Sequence, residues 1–146
     1  MASSLFSLGS LLAVLGWLVL LVALAAAPVR ARLVAGVRFL IPALLGVAYI
    51  GLIVAGRDAF HDGGFSSIAQ VRALFANDDA LTAGWLHYLA FDLFVGAWIV
   101  EDAGTRKVWR LLVVPCLILV FLFGPCGYLL YMGLRLMRGQ AKAVQS

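Results

Sequence analysis

Charge is what this sequence has little of. Asp, Glu, Lys and Arg make up 12% of its 146 residues while hydrophobic side chains make up 64%, and that balance, with long uncharged runs, excludes a soluble globular domain. Its basic residues stand at the ends of apolar runs and form no stripe interleaved with aromatics. The +4 net charge therefore signals contact with lipid headgroups, and nucleic acid is not an expected partner. Cysteine is scarce as well. Cys116 and Cys126 lie ten residues apart on one predicted helix, about 15 Å, which is too far for a disulfide unless the helix breaks at Pro125, and they make no zinc site. Histidine occurs twice, as His61 and His87. Asp58, His61 and Asp62, with His87 and Asp78 or Asp92, offer oxygen and imidazole donors, but their spacing matches no standard metal motif, and neither a metal nor a cofactor is expected.

What is present is apolar length. At about 20 residues per crossing, the runs predict a single transmembrane domain over 1–146, an all-α four-helix bundle with crossings at about 5–27, 37–55, 82–100 and 108–134. No separate soluble domain fits. The first run, Leu5 to Ala27, ends before Pro28, Arg30 and Arg32. Ala25-Ala26-Ala27 imitates a signal-peptidase site, yet no Lys or Arg precedes the run and it exceeds a usual signal core, so it reads as a helix. The second carries Pro42 in its first turn, and Gly46 and Gly51 offer close approach to neighbours.

The connection that follows holds Arg57-Asp58-Ala59-Phe60-His61-Asp62-Gly63-Gly64 and then a short amphipathic helix. Ser66 or Ser67 caps it, Ile68, Val71, Leu74 and Phe75 share one face, and it is expected in the membrane interface. Asn77-Asp78-Asp79 caps the third crossing, Glu101-Asp102-Ala103-Gly104 stops it, and Pro115 and Pro125 kink the fourth. Six Lys/Arg on one side against five on the other give a one-residue excess favouring an external N-terminus.

The third crossing keeps an aspartate and a histidine. An aspartate deep in a lipid-spanning helix costs several kcal/mol unless paired, hydrated or protonated, which singles out Asp92, with His87 second. Gly84, Tyr88, Asp92 and Gly96 recur every fourth residue, so Asp92 is expected to face another helix at close approach. His87 lies about 140° round the helix from it and aligns with Phe91, Phe94 and Trp98. With Trp85 and Tyr88 these rings can line a groove for a long apolar ligand, or simply pack and meet lipid. The plain alternative for Asp92 is an interhelical hydrogen bond to Tyr49, Tyr128, Tyr131 or an amide, worth about 1 kcal/mol. For His87 it is an interfacial hydrogen bond, and for Arg57 to Asp62 a solvated helix end with local ion pairs.

Gly63-Gly64-Phe65-Ser66-Ser67, Leu74-Phe75-Ala76, the block Gly84-Trp85-Leu86-His87-Tyr88-Leu89-Ala90-Phe91-Asp92-Leu93-Phe94-Val95-Gly96, Pro115-Cys116-Leu117 and Gly124-Pro125-Cys126-Gly127 together resemble the abscisic acid-deficient protein 4 family of neoxanthin synthase-like membrane proteins. The resemblance covers about Phe39 to Tyr131, and the alanine-rich, short chain looks like a bacterial member, hence multi-pass in the inner membrane. Plant members are associated with making neoxanthin from violaxanthin. That chemistry, an isomerase step, turns an epoxide into an allenic alcohol. The resemblance thus implies a carotenoid or related isoprenoid substrate, with Asp92, kept neutral by apolar surroundings, as acid and His87 as base or as anchor for a ring hydroxyl. Trp85, Tyr88, Phe91, Phe94 and Trp98, with His61, Asp58 and Arg57, are the expected substrate contacts.

A second reading is a non-catalytic membrane subunit that binds a carotenoid, quinone or lipid, as a homo-oligomer or within a membrane complex. A third is proton transport through Asp92 and His87, for which the expected internal repeat is not evident.

Overall fold

The computed structural model describes the backbone of residues 1–143 and the side chains of residues 1–137, and within them all regular structure is helical. Helix α1 is Ala2–Ala25, α2 Arg30–Ala35, α3 Ile41–Ala55, α4 Ile68–Leu74, α5 Asp78–Thr105, α6 Arg110–Phe123 and α7 Pro125–Ala143. Three stretches are long and apolar enough to cross a membrane: Ala2–Ala25, Arg30–Ala55 and Asp78–Thr105. The protein is therefore an all-α, multi-pass membrane protein.

The second stretch differs from the sequence expectation in where it starts. It begins at Arg30, and a π-helical turn, Gly36–Leu40, joins α2 to α3. Pro42 thus lies in the first turn of α3 but well inside the continuous helical stretch that crosses the membrane. Proline has no amide hydrogen to give the carbonyl four residues back, at Arg38, and its ring crowds that carbonyl, so a widened turn just before it is the local remedy. Gly46 and Gly51 also depart from expectation, since a β-carbon at either would meet nothing within 4 Å. Large apolar side chains along α3, Leu44, Val47, Ile50 and Val54, are exposed, as befits a face turned to lipid.

The chain's contacts form two units, Met1–Val14 with Ile41–Phe91 and Leu15–Leu40 with Asp92–Ser146. In the first, Gly9 of α1 lies against Leu86 of α5, and Leu45 of α3 reaches the same spot. The 3₁₀ turn Arg57–Phe60 leads into α4. Ser67 caps α4 by accepting from the Gln70 amide at 3.2 Å. Leu74 is buried and Ile68 is 80% exposed, so the apolar face of α4 is used for packing only at its C-terminal end. Gly63 is needed beside it: a β-carbon there would come within 2.6 Å of Leu74 Cα. Asn77 Oδ1 then accepts from the Asp79 and Ala80 amides at 3.0 and 3.1 Å, the cap that the acidic triplet predicted for α5.

In the second unit, α5 does not stop at Glu101-Asp102. It runs on to Thr105 because both carboxylates have partners: Glu101 pairs with Arg38 and Asp102 with Arg106 one turn on. The last apolar run is also not one kinked helix. Gly124 breaks it, and Pro125 opens α7 at the position where a missing amide hydrogen costs least.

The contacts of α7 give its direction. Going up the two helices together, Gly124 meets Asp92, Tyr128 meets Trp98, and Tyr131 and Arg135 meet Asp102. Helix α7 therefore runs parallel to α5, while α6, joined to the end of α5 by four residues, runs against it. The two form a hairpin that enters and leaves at the Thr105 end. At 14 residues, α6 is about 21 Å long, short of the roughly 30 Å hydrocarbon thickness. The irregular turn between the two helices, at Gly124, is buried, and irregular backbone in a membrane protein is tolerated where protein covers it.

Candidate functional site

His87 stands among rings. Its imidazole stacks on Phe91, one turn on, with centroids 4.5 Å apart, and Tyr49 of α3 lies 6.0 Å away at a tilt. Trp85 is sandwiched between Phe6 of α1, at 5.5 Å, and Tyr88, at 5.4 Å. Its indole Nε1 donates to Ser10 Oγ at 3.0 Å, which fixes the ring against α1. The spacing along α5 that predicted an aromatic stripe thus holds for His87 and Phe91. Both are exposed, Phe91 by 61%. On a helix that crosses a membrane this presents an imidazole and aromatic faces to whatever lies in the lipid.

Asp92 is half-buried, on the stripe expected to face protein. Gly96, one turn on, is buried against Trp17 and Leu20, and a β-carbon there would lie 2.7 Å from the Trp17 ring. Gly84, in the other unit, meets Phe75 at 3.1 Å. Asp92 Oδ1 itself would be 2.7 Å from a β-carbon at position 124. The break between α6 and α7 is therefore seated directly on the carboxylate, and a glycine there leaves it room. A polar group at the tip of a re-entrant hairpin is held at the level where membrane helices rarely keep one.

The remaining expected residues are placed apart from these. Phe94 lies under the Arg38 guanidinium at 5.0 Å. Trp98 is turned to Tyr128 and Tyr131, at 5.9 and 5.6 Å, and Arg135 sits over it at 5.7 Å. Arg57, Asp58 and His61 are exposed, and the contacts of this segment are local: Arg57 pairs with Asp58 at 3.8 Å and Phe60 tilts on Phe65. Among the described residues no three His, Cys, Asp or Glu side chains converge as a metal site would require. The tyrosines proposed for Asp92 have other partners as well, Tyr49 against His87 and Tyr128 and Tyr131 against Trp98.

One polar group was not read from the sequence as a site. Asp102 accepts from the Tyr131 hydroxyl at 2.7 Å and from Arg106 Nε at 2.9 Å, and Arg135 Nε is 3.2 Å away. Half of it was legible, since Asp102 and Arg106 are an i,i+4 pair. Tyr131 and Arg135 are a second such spacing on α7, and only the hairpin brings the pairs together. Tyr131 is fully buried, so removing its acceptor leaves a buried hydroxyl and an arginine without their carboxylate. Asp102→Ala is expected to destabilise the protein by about 2–3 kcal/mol, read as a lowered Tm in detergent, whereas Arg57→Ala, at an exposed pair, leaves Tm unchanged.

Residues 4–131 match the family model ABA4-like, described as ABA DEFICIENT 4-like. Neither a curated protein nor a solved structure matches the chain.

Proposed function

Because the chain belongs to the ABA4-like family, we propose that it is a membrane-embedded enzyme acting on a carotenoid or related isoprenoid, isomerising an epoxide to an allenic alcohol. The observation that carries this reading is a half-buried carboxyl group, Asp92, kept on a membrane-crossing helix and seated on the hairpin tip.

The chemistry asked of the site is modest. A proton delivered to the epoxide oxygen lets its C–O bond break, and loss of a proton from a nearby carbon forms the cumulated double bond. One proton enters and one leaves, so the product is an isomer and no electrons are exchanged. Asp92 is assigned the first transfer. His87 takes the second or holds a ring hydroxyl, while Phe91 offers its exposed flat face, and Trp85 and Tyr88 their ring edges, to a polyene. Phe94 and Trp98, packed under Arg38 and Arg135, stand outside these contacts, and Arg57, Asp58 and His61 are assigned to an exposed segment that meets a polar end group.

The reading is tested by chromatography with mass detection of the pigments retained by gently purified wild type and by Asp92→Asn. An altered isomer with wild type alone supports it. The same unchanged pigment with both favours the second reading, a subunit that holds its ligand without altering it, for which the exposure of Phe91 and Trp85 speaks.

The hairpin also bears on orientation. If α6 and α7 return to the side they left, the described Lys and Arg divide as Arg30, Arg32, Arg38, Arg106, Lys107, Arg110 and Arg135 against Arg57 and Arg72. The six-to-five division read from sequence thus becomes seven to two, and the side chains of Arg138 and Lys142, counted there, lie outside the described residues. Basic loops stay in the cytoplasm, so in a bacterial inner membrane the N-terminus and His61 are external. In a Cys126→Ser background, a membrane-impermeant maleimide is expected to label Asp62→Cys in intact cells and to label Lys107→Cys only after lysis.

A further inference from the structure

A cavity of about 380 Å³ opens at the Thr105 end of the chain, between the end of α1, the end of α5 and the start of α6. Its size is that of an ordinary small-ligand site. Arg30, Lys107 and Arg110 line it, no carboxylate of the described residues does, and Leu24, Ala27, Val108 and Trp109 supply its apolar wall.

The cations are positioned by different means. Arg30 donates from Nε to the Ala23 carbonyl at 3.1 Å and from Nη2 to the Leu24 carbonyl at 3.2 Å, closing the end of α1, and its Nη1 lies against Gly104, where a β-carbon would collide with it. Lys107 ends α5. The Val108 amide reaches back to the Ala103 carbonyl at 2.9 Å, and Lys107 itself takes φ 55°. This is the left-handed position of a Schellman turn, where glycine is the usual residue because a β-carbon is crowded there. Arg110 begins α6, whose N-terminus has no side-chain cap. Trp109 beside it is 59% exposed, and tryptophan so placed marks the headgroup level of a membrane.

We propose that this cavity binds the phosphate of an anionic amphiphile, with the phosphate between Arg30, Lys107 and Arg110 and the apolar chain leaving over the exposed Ala27 and Trp109. A phosphate satisfies three cations that no carboxylate among the described lining residues neutralises, and a lipid chain covers the exposed Ala27 and Trp109 that a free ion would leave uncovered. The site is independent of the isomerase reading and does not need Asp92 or His87.

The test uses full-length protein in phosphatidylcholine nanodiscs containing one-tenth phosphatidylglycerol, released into native mass spectrometry. Wild type is expected to retain phosphatidylglycerol well above its share of the bilayer. The double variant Lys107→Gly/Arg110→Gln should lose at least five-fold of that enrichment while keeping its Tm, since glycine suits the left-handed turn. The charge-matched control Arg57→Gln/Arg72→Gln should keep the enrichment. Millimolar inorganic phosphate distinguishes the two sources of the group. If it leaves the lipid bound, the amphiphile is the ligand. If it displaces the lipid from wild type, the site recognises free phosphate and the assignment to a lipid is overturned. Equal retention by wild type and the Lys107/Arg110 variant, or equal loss in the control, overturns the site itself.

Discussion

Gly127→Leu is expected to yield no folded protein, and Gly127→Ala to lower stability by about 2–3 kcal/mol, the upper range for overpacking a well-filled interior. A β-carbon at this position would overlap the Val120 amide nitrogen and lie 2.5 Å from the Cys116 carbonyl oxygen. These are backbone atoms of α6, so no rotamer change relieves the collision and the hairpin itself must open. The comparison that makes the experiment specific is Gly46→Ala or Gly51→Ala. Both are glycines inside a helix with nothing within 4 Å of the new methyl group, and alanine there is expected to gain about 0.5–1 kcal/mol from helix propensity. Thermal unfolding in a mild detergent checks the three alanine variants, and the yield of folded protein checks Gly127→Leu. An unaltered Tm for Gly127→Ala would contradict the close approach of α6 and α7.

Asp92→Asn is expected to reduce isomer formation by roughly 10²–10⁴-fold, the usual contribution of a positioned general acid. The amide keeps the shape of the side chain beside Gly124, so Tm and extraction yield should be those of wild type. His87→Ala is expected to lose a similar factor if His87 takes the proton. His87→Gln separates its two roles, because an amide can anchor a hydroxyl but cannot act as base. Gly124→Ala is the positional check. The nearest atoms to its methyl group would be those of the Asp92 carboxylate, the movable end of a side chain, so activity should fall further than stability does. Turnover of an epoxy-xanthophyll in proteoliposomes, set beside Tm for each variant, reads out all four.

The helical, membrane-spanning character was plain in the sequence because long apolar runs admit few other structures in lipid. The caps at Ser67 and Asn77 were legible too, since they depend on residues two or three positions away. The errors arose where distant partners decide. Glu101 and Asp102 read as a stop because two carboxylates end a hydrophobic run, but Arg38, Tyr131 and Arg135 come from elsewhere in the chain and let α5 continue. Pro125 signalled a bend, whereas the fold-back depends on Gly127 admitting the backbone of α6, a contact that spacing along one helix does not show. Gly46 and Gly51 were expected at an interface because small residues favour one, yet they face open space.

For the candidate site, periodicity correctly put Asp92, Gly84 and Gly96 on a packed stripe and His87 beside Phe91. It did not separate Phe94 and Trp98 from His87 and Phe91. Their rings are drawn to Arg38 and Arg135, cations that stand far away in sequence.

The most direct measurement is conversion of a carotenoid epoxide by purified protein in proteoliposomes, followed by chromatography with mass detection. Substrate and product share one mass, so the new species must differ in retention and absorption alone. Wild type is expected to form an allenic isomer that Asp92→Asn does not form. Recovery of the bound epoxide unchanged from wild type, with the protein folded, would contradict an enzymatic role and leave a ligand-holding membrane subunit.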